Sequence, residues 1–255
     1  MASDTNSGVK TTESSLKIIE ELFERDTVSR EHLEERLDLT TSTVHRHLAT
    51  LREYGYVVKD GNSYRLSFKF LTVGGHLRRQ IEGYPMIKQK IDELAHSTDE
   101  RSQFMIREGN ERVYLYTEIG DNPVQTGAHI GRRGPIHASA AGKAILANSP
   151  ESVQNELLAS ISMEETGPNT ITDESELRQD LEVIREQGYA LNLEESTAGV
   201  HAIGSAVQGK GQSEPIGAIS VSGPATRLKR GRIEDELVDL VLAATNELEL
   251  HIEHS

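Results

Sequence analysis

From Thr40 to Arg52 the chain reads TTSTVHRHLATLR, with two arginines, two histidines, five Thr or Ser hydroxyls and no acid. Such a run is conspicuous in a chain that carries 41 Asp and Glu against 27 Lys and Arg. Val44, Leu48 and Leu51 recur at helical spacing, and Thr40 is a residue type that caps helix starts. The run therefore predicts a helix from Thr41 to about Tyr54, ended by Gly55. On that helix Ser42, Thr43, Arg46 and Thr50 share the face away from the apolar stripe.

The flanking residues say what such a helix belongs to. Leu16, Ile19, Leu22 and Phe23 fall three and four apart, which predicts a helix over 15–25 with this stripe inward. Ser29 caps a short second helix carrying Leu33 and Leu37, and Asp38-Leu39-Thr40 is a tight turn. Beyond Gly55, Tyr56-Val57-Val58 and Tyr64-Arg65-Leu66 flank a turn at Lys59-Asp60-Gly61-Asn62, the pattern of a hairpin. Three small helices followed by a hairpin make a winged helix-turn-helix, here over residues 10–67. In that arrangement the third helix enters the major groove of DNA, where an arginine can bond a guanine edge and hydroxyls hold phosphates. The expected contact residues are Thr41, Ser42, Thr43, His45, Arg46 and Thr50, with Lys59 and Arg65 reaching the flanking backbone from the wing. His45 and His47 stand ~200° apart around a helix and cannot share a metal ion.

The net charge of −14 runs against a polyanionic partner. Only 9 of the 27 basic residues are lysine, and an acidic, lysine-poor surface suits a very salty cytoplasm that screens long-range repulsion within a few ångströms. Local charge at the reading face then decides. The absence of cysteine excludes disulfides, thiolate metal sites and a cysteine nucleophile. No apolar run approaches the ~18 residues of a membrane span. The first ten residues, MASDTNSGVK, lack the apolar segment of a signal peptide, so a cytoplasmic protein is expected.

Residues 68–83 read as a linker, helical in spite of Gly74-Gly75, and Tyr84-Pro85 opens a second domain over 84–255. Ile87, Ile91 and Leu94 mark its first helix. Strands follow at 103–107 and 112–119, then a helix from His137 or Ala138 to Ala147, with Ser149-Pro150 capping the next. Asp173 and Glu176 resemble a capping box for a helix stopped by Gly188. Strands at 189–193, 200–207 and 216–222 and a long helix from about Arg232 complete an α+β pattern built around antiparallel hairpins.

LTTSTVHRHLATLREYGYVVKDGNSYRLS resembles the winged-helix segment of the IclR family of transcription regulators. The resemblance continues through GRRGPIHASAAGKAIL, IREQGYALNLEE, EESTAGVHAIGSAV and GAISVSGPATRL, in the family's order and over nearly the whole chain. It implies an N-terminal winged helix-turn-helix, a linker helix and a C-terminal GAF-like α/β effector-binding domain. It also implies a homodimer or homotetramer on a near-palindromic double-stranded DNA operator, an effector that is a small, often carboxylated metabolite, and no cofactor. The acidic composition fits a member from a halophilic archaeon. Thr41 departs from the basic residue common there, Ala202 from a frequent Cys, Ala206 from a Pro and Asn192 from a frequent acid, which leaves the ligand open.

The residues themselves point to one pocket. Alternation along Gly217–Ser222 puts Ala218, Ser220 and Ser222 on one face and Ile219 and Val221 on the other. Buried hydroxyls need partners from protein, water or ligand. HASAAGKAIL begins with small residues, so its helix N-terminus can approach a carboxylate closely. Ile136, Ala140 and Ala141 are expected to line this end, Val200 and Ala202 an apolar wall, and Asn192, Ser220 and Ser222 the polar contacts. Tight helix–sheet packing is the plainer account of each residue alone, and Arg132 and Arg133 can equally attract an anion or face solvent. His137 near Ser139, the Glu194-Glu195 pair and the dispersed His129, His137 and His201 make neither a catalytic triad nor ligand-like spacing. No catalysis is expected; the competing readings are a ligand-independent oligomeric DNA-binding protein and a metal-dependent enzyme fused to a winged helix.

Overall fold

A computed structural model describes residues 8–120 and 127–254. Seven of the ten residues read as lacking a signal segment, 1–7, lie outside the described residues. The chain divides between Arg79 and Gln80 into two compact units.

In the first unit α1 (Lys10–Arg25), α2 (Arg30–Leu37) and α3 (Thr41–Glu53) pack around Ile18, Leu22, Leu33, Val44, Leu48 and Leu51. The expected inward stripe of α1 needs correction. Leu16 is 53% exposed and Phe23 63%, while Ile18 and Glu21 are buried. The helix has apolar residues on most sides, and Glu21 selects the face. Its carboxylate meets His32 Nε2 at 2.6 Å and Arg25 Nε at 2.5 Å. The His32 bond, assisted by Arg25, holds that carboxyl below its ordinary range despite desolvation. Ser29 caps α2 by accepting from His32 N.

β2 (Val57–Asp60) and β3 (Ser63–Leu66) pair from Val57–Leu66 to Asp60–Ser63, so the turn is Gly61-Asn62 alone, two residues shorter than expected. A two-residue strand, β1 (Val28–Ser29), adds to β3 and gives the sheet order β1-β3-β2. α4 (Lys69–Arg79) runs unbroken through both glycines and buries no residue. Lys69 anchors its start, donating from Nζ to the Tyr54 carbonyl at 2.7 Å over the Tyr56 ring.

The second unit is one antiparallel sheet with helices on both faces. Its six strands are β4 (Arg101–Glu108), β5 (Glu111–Glu118), β6 (Arg133–Pro135), β7 (Ala190–Leu193), β8 (Val200–Gln208) and β9 (Pro215–Pro224), in the order β6-β5-β4-β9-β8-β7. Strand alternation sorts the core. Ile203, Val207, Ile219 and Val221 face α5 (Tyr84–Thr98) and α10 (Val238–Glu253), while Ala202, Ala206 and Ala218 face α6 (Ala140–Asn148) and α8 (Glu174–Gln187). α7 (Glu151–Ser160) adds Leu157 and Leu158 to the second core. A short α9 (Arg230–Arg232) and a π-turn at Ile233–Leu237 lead into α10.

Two caps differ from expectation. α6 begins at Ala140, because Ser139 is extended and accepts from Gly142 N, which leaves His137 and Ala138 outside the helix. Ser149 turns back to donate to the Ile145 carbonyl and so closes α6; α7 starts behind Pro150 with no side-chain cap. At α8 Asp173 caps as expected, accepting from Ser175 N and Glu176 N, and Gly188 ends the helix at positive φ.

Two glycines permit close main-chain approach around α6, Gly204 between helix and sheet and Gly142 between the helix and the segment that leads into it. A Cβ on Gly204 would lie 2.8 Å from Ala141 N, and one on Gly142 would lie 1.9 Å from the Ile136 carbonyl. Both contacts are with backbone, so neither neighbour can yield by rotating a side chain. Between α6 and α8 lies Lys143, with Nζ 2.8 Å from Asp180 Oδ2 and 2.8 Å from a Glu195 carboxylate oxygen; only 3% of its side chain is exposed.

Candidate functional site

The candidate nucleic-acid face is α3. Thr40 Oγ1 accepts from Thr43 N at 3.3 Å and fixes the helix start. Ser42, His45, Arg46 and Thr50 are exposed, and Thr43 is half-buried. Thr43, Arg46 and Thr50 stand at i, i+3 and i+7 and border one groove with Thr11, Thr12 and Ser15 of α1. Arg46 makes no hydrogen bond or ion pair with any described residue, so its guanidinium donors are available. Thr41 differs, since its hydroxyl donates to Glu34 Oε2 at 2.8 Å. His47 is turned to the protein side, with Nδ1 2.8 Å from Ser15 Oγ and its protonation disfavoured first by burial. On the wing, Lys59 lies across from Tyr64 and Arg65 across from Val58. The two basic side chains therefore leave opposite faces of the hairpin and do not serve one surface.

The second unit contains a cavity of about 220 Å³ between α6, the sheet and the turn after β7. One end is the first turn of α6, where the amides of Ala140 and Ala141 are donors that the helix itself leaves unsatisfied. Ser220 and Ser222 line the strand side, and Gln103 Nε2 donates to their hydroxyl oxygens at 3.2 and 3.1 Å. Register places Gln103 opposite Ser220 across β4 and β9. Val200 and Ala202 form an apolar patch, while Met105, Arg112 and Tyr114 of the β4–β5 hairpin form the far wall. Arg112 is only 8% exposed, with its Cζ 5.3 Å from the Tyr114 ring centroid. Among the described residues no aspartate or glutamate lines the cavity. The arrangement offers hydrogen-bond donors and positive charge to whatever fills it.

Residues 84–250 match the family model described as Bacterial transcriptional regulator IclR C-terminal, and residues 9–77 match one described as HVO_A0261 N-terminal domain. The chain belongs to the IclR family. A probable HTH-type transcriptional regulator ArcR from Halobacterium salinarum is 33% identical over 93% of this chain and 92% of its own length. The Thermotoga maritima IclR crystal structure aligns with a TM-score of 0.84 at 24% identity, covering 96% of this chain and 99% of that one. An IclR homolog from Microbacterium hydrocarbonoxydans, complexed with 4-hydroxybenzoate, aligns at 0.75 with 22% identity over 95% and 99%. The chain is thus an IclR-type, DNA-binding transcription regulator rather than an enzyme, and its acidic, lysine-poor composition fits a relative from a halophile.

Against this IclR frame, seven of the eight residues expected at the pocket line it: Ala140, Ala141, Asn192, Val200, Ala202, Ser220 and Ser222. Ile136 does not. It is fully buried in the α6–α8 core, and only its carbonyl matters locally, through its contact with Gly142. Asn192 lines the cavity with its amide already engaged. Nδ2 donates to the Ala138 carbonyl and Ser196 Oγ, and Oδ1 accepts from Glu195 N. It holds the turn that presents Ser196 and Thr197.

Sequence reasoning missed Gln103, Arg112 and Tyr114. Each sits in an alternating strand where a polar residue reads as solvent-facing; only the pairing of β4 with β9 turns that face inward. Both arginines left open line the cavity, and Arg133 has its guanidinium paired with Glu108 and Glu111. The dispersed histidines each meet a different carbonyl: His129 that of Gly127, His137 that of Glu164 and His201 that of Leu228. Glu194 and Glu195 diverge, one accepting from Gly199 N and the other facing Lys143.

Proposed function

We propose that this IclR-type regulator reads its operator with Ser42, Thr43, Arg46 and Thr50, and that a small organic acid in the α6 cavity changes its affinity for DNA. The observation that carries the effector reading is the cavity itself, which joins an α6 N-terminus and two serine hydroxyls and, among the described residues, has no carboxylate in its lining. A carboxylate set there receives N–H and O–H donors in a largely desolvated site. The ligand acts only by binding the DNA-competent and incompetent forms unequally, so the segment around α4 is the transmitter between the units.

The regulator works in the cytoplasm as a homodimer or homotetramer. Leu71, Val73 and Leu77 of α4 and Leu16 and Phe23 of α1 are exposed apolar residues that a second copy would cover. Among the described residues no helix is long and apolar enough to cross a membrane. Two copies set their α3 helices in successive major grooves of a near-palindrome.

The test is fluorescence anisotropy on DNA from upstream of the protein's own gene, in multimolar KCl, with a panel of small organic and sugar acids. Saturable, sequence-selective binding that an acid shifts is the expected result. Binding indifferent to every acid would favour a ligand-independent DNA-binding protein. In the same assay Arg46→Ala should cost about 1–3 kcal/mol on the specific site and relax base preference at one position. An unchanged preference would remove Arg46 from base reading.

A further inference from the structure

Among the described residues Arg112 is a charge without a counter-charge. It lies on β5 with 8% of its surface exposed, and its Nε and Nη1 atoms are buried with no hydrogen-bond partner. No ion pair to it exists among the described residues, and the neighbouring carboxylates Glu108 and Glu111 are both taken by Arg133. A guanidinium cannot shed its proton to escape burial, and a buried unpaired charge is costly enough that proteins supply a partner. Arg112 opens onto the cavity, held from behind by the Tyr114 ring and by Gly134, where a Cβ would lie 3.0 Å from Nη2. The side chain is therefore pinned in the cavity wall with two of its donors unmet.

The opposite end of the same cavity is the first turn of α6 with Ser220 and Ser222. Two anion-seeking ends face one volume of about 220 Å³, which is room for ~7 waters at ~30 Å³ each and hence for a short molecule only. We propose that the effector is a small dianion, with one carboxylate at the α6 N-terminus and a second acidic group on the Arg112 guanidinium. This rests on the reading of the cavity as the effector site and adds the chemical class of its ligand. The planar guanidinium fork accepts a second carboxylate through two parallel N–H···O bonds, so Arg112 is a specificity-determining residue rather than a general attractor of anions.

The experiment uses the full-length protein in multimolar KCl and pairs of probes of matched shape. Malonate, succinate, glutarate and adipate are each compared with their own monoamides by equilibrium dialysis, with 3-phosphonopropionate as a probe whose second acidic group is a phosphonate. At least one diacid should bind tenfold or more tighter than its monoamide. Arg112→Gln should reduce that preference to about twofold, while Arg112→Lys, which keeps the charge, should retain part of it. Diacids and monoamides binding equally to the native protein would overturn the second subsite and leave the carboxylate end standing; that comparison needs no variant to fold. A preference that survives Arg112→Gln would equally remove Arg112 from the role. Binding of neither class would sink the cavity reading and the dianion with it.

Discussion

Replacing Lys143 with methionine tests how the wall of the cavity is held. Lys143 lies on α6 with 3% of its side chain exposed, between Asp180 on α8 and Glu195 after β7. Removing one partner of a buried ion pair costs about 3–5 kcal/mol, because the other charge stays buried and unpaired. Two features place this case at the lower end. Asp180 is one-third exposed and regains water, and Glu195 can take up a proton. The expected loss for Lys143→Met at neutral pH is therefore about 3 kcal/mol, which in a unit of this size is about 6–12 °C in Tm. Thermal unfolding followed by circular dichroism at fixed KCl measures it. The double variant Lys143→Met/Glu195→Gln removes the stranded charge and should recover about half of the loss. A single variant within about 1 kcal/mol of the parent, or a double variant no more stable than the single, would refute the reasoning.

Two more outcomes follow from the same physics. Desolvation raises the Glu195 carboxyl above 4.5 in spite of the opposing effect of Lys143; between 4.5 and that raised value the folded state keeps the extra proton. Its contribution to stability is therefore full below the lower value and is lost as pH rises through the upper one. Glu195→Gln should flatten this part of the pH–stability profile, and an identical profile in both proteins would contradict it. Thr40→Ala removes the N-cap of α3 and should cost about 1 kcal/mol in stability, with a parallel fall in operator affinity; a melting curve superposable on the parent's would show the cap to be idle.

The reading helix was legible because its two faces differ in chemistry, with Val44, Leu48 and Leu51 apolar and Arg46 and the hydroxyls polar, and because Thr40 and Gly55 mark its ends. α1 was legible as a helix but not in its rotation. Ile18 competes with Leu16 and Phe23 for the core, and the pairing of the buried Glu21 with Arg25, His32 and Arg36, drawn partly from a different helix, decides the matter. β1 and β6 hold two and three residues, too few for a period to register. The pocket was half legible for a related reason. Its helix end and its serines carry local signals, whereas Gln103 and Arg112 gain their meaning from strands paired across the sheet. Ile136 was misplaced with the helix start: α6 begins four residues beyond it, and the bend and turn before Ser139 are buried.

The tight seating of α6 on Gly204 and Gly142 limits how such a protein can drift or be re-engineered. The α6 end of the cavity is made largely of main chain, and a Cβ at either glycine would strike backbone at 2.8 or 1.9 Å. Single substitutions cannot edit that end without displacing the helix. The opposite wall is made of the side chains of Met105, Arg112 and Tyr114 on the β4–β5 hairpin. New ligand preferences therefore accumulate on one side of the cavity, and a library confined to those three positions explores most of the chemistry open to this scaffold while leaving its helix–sheet contact untouched.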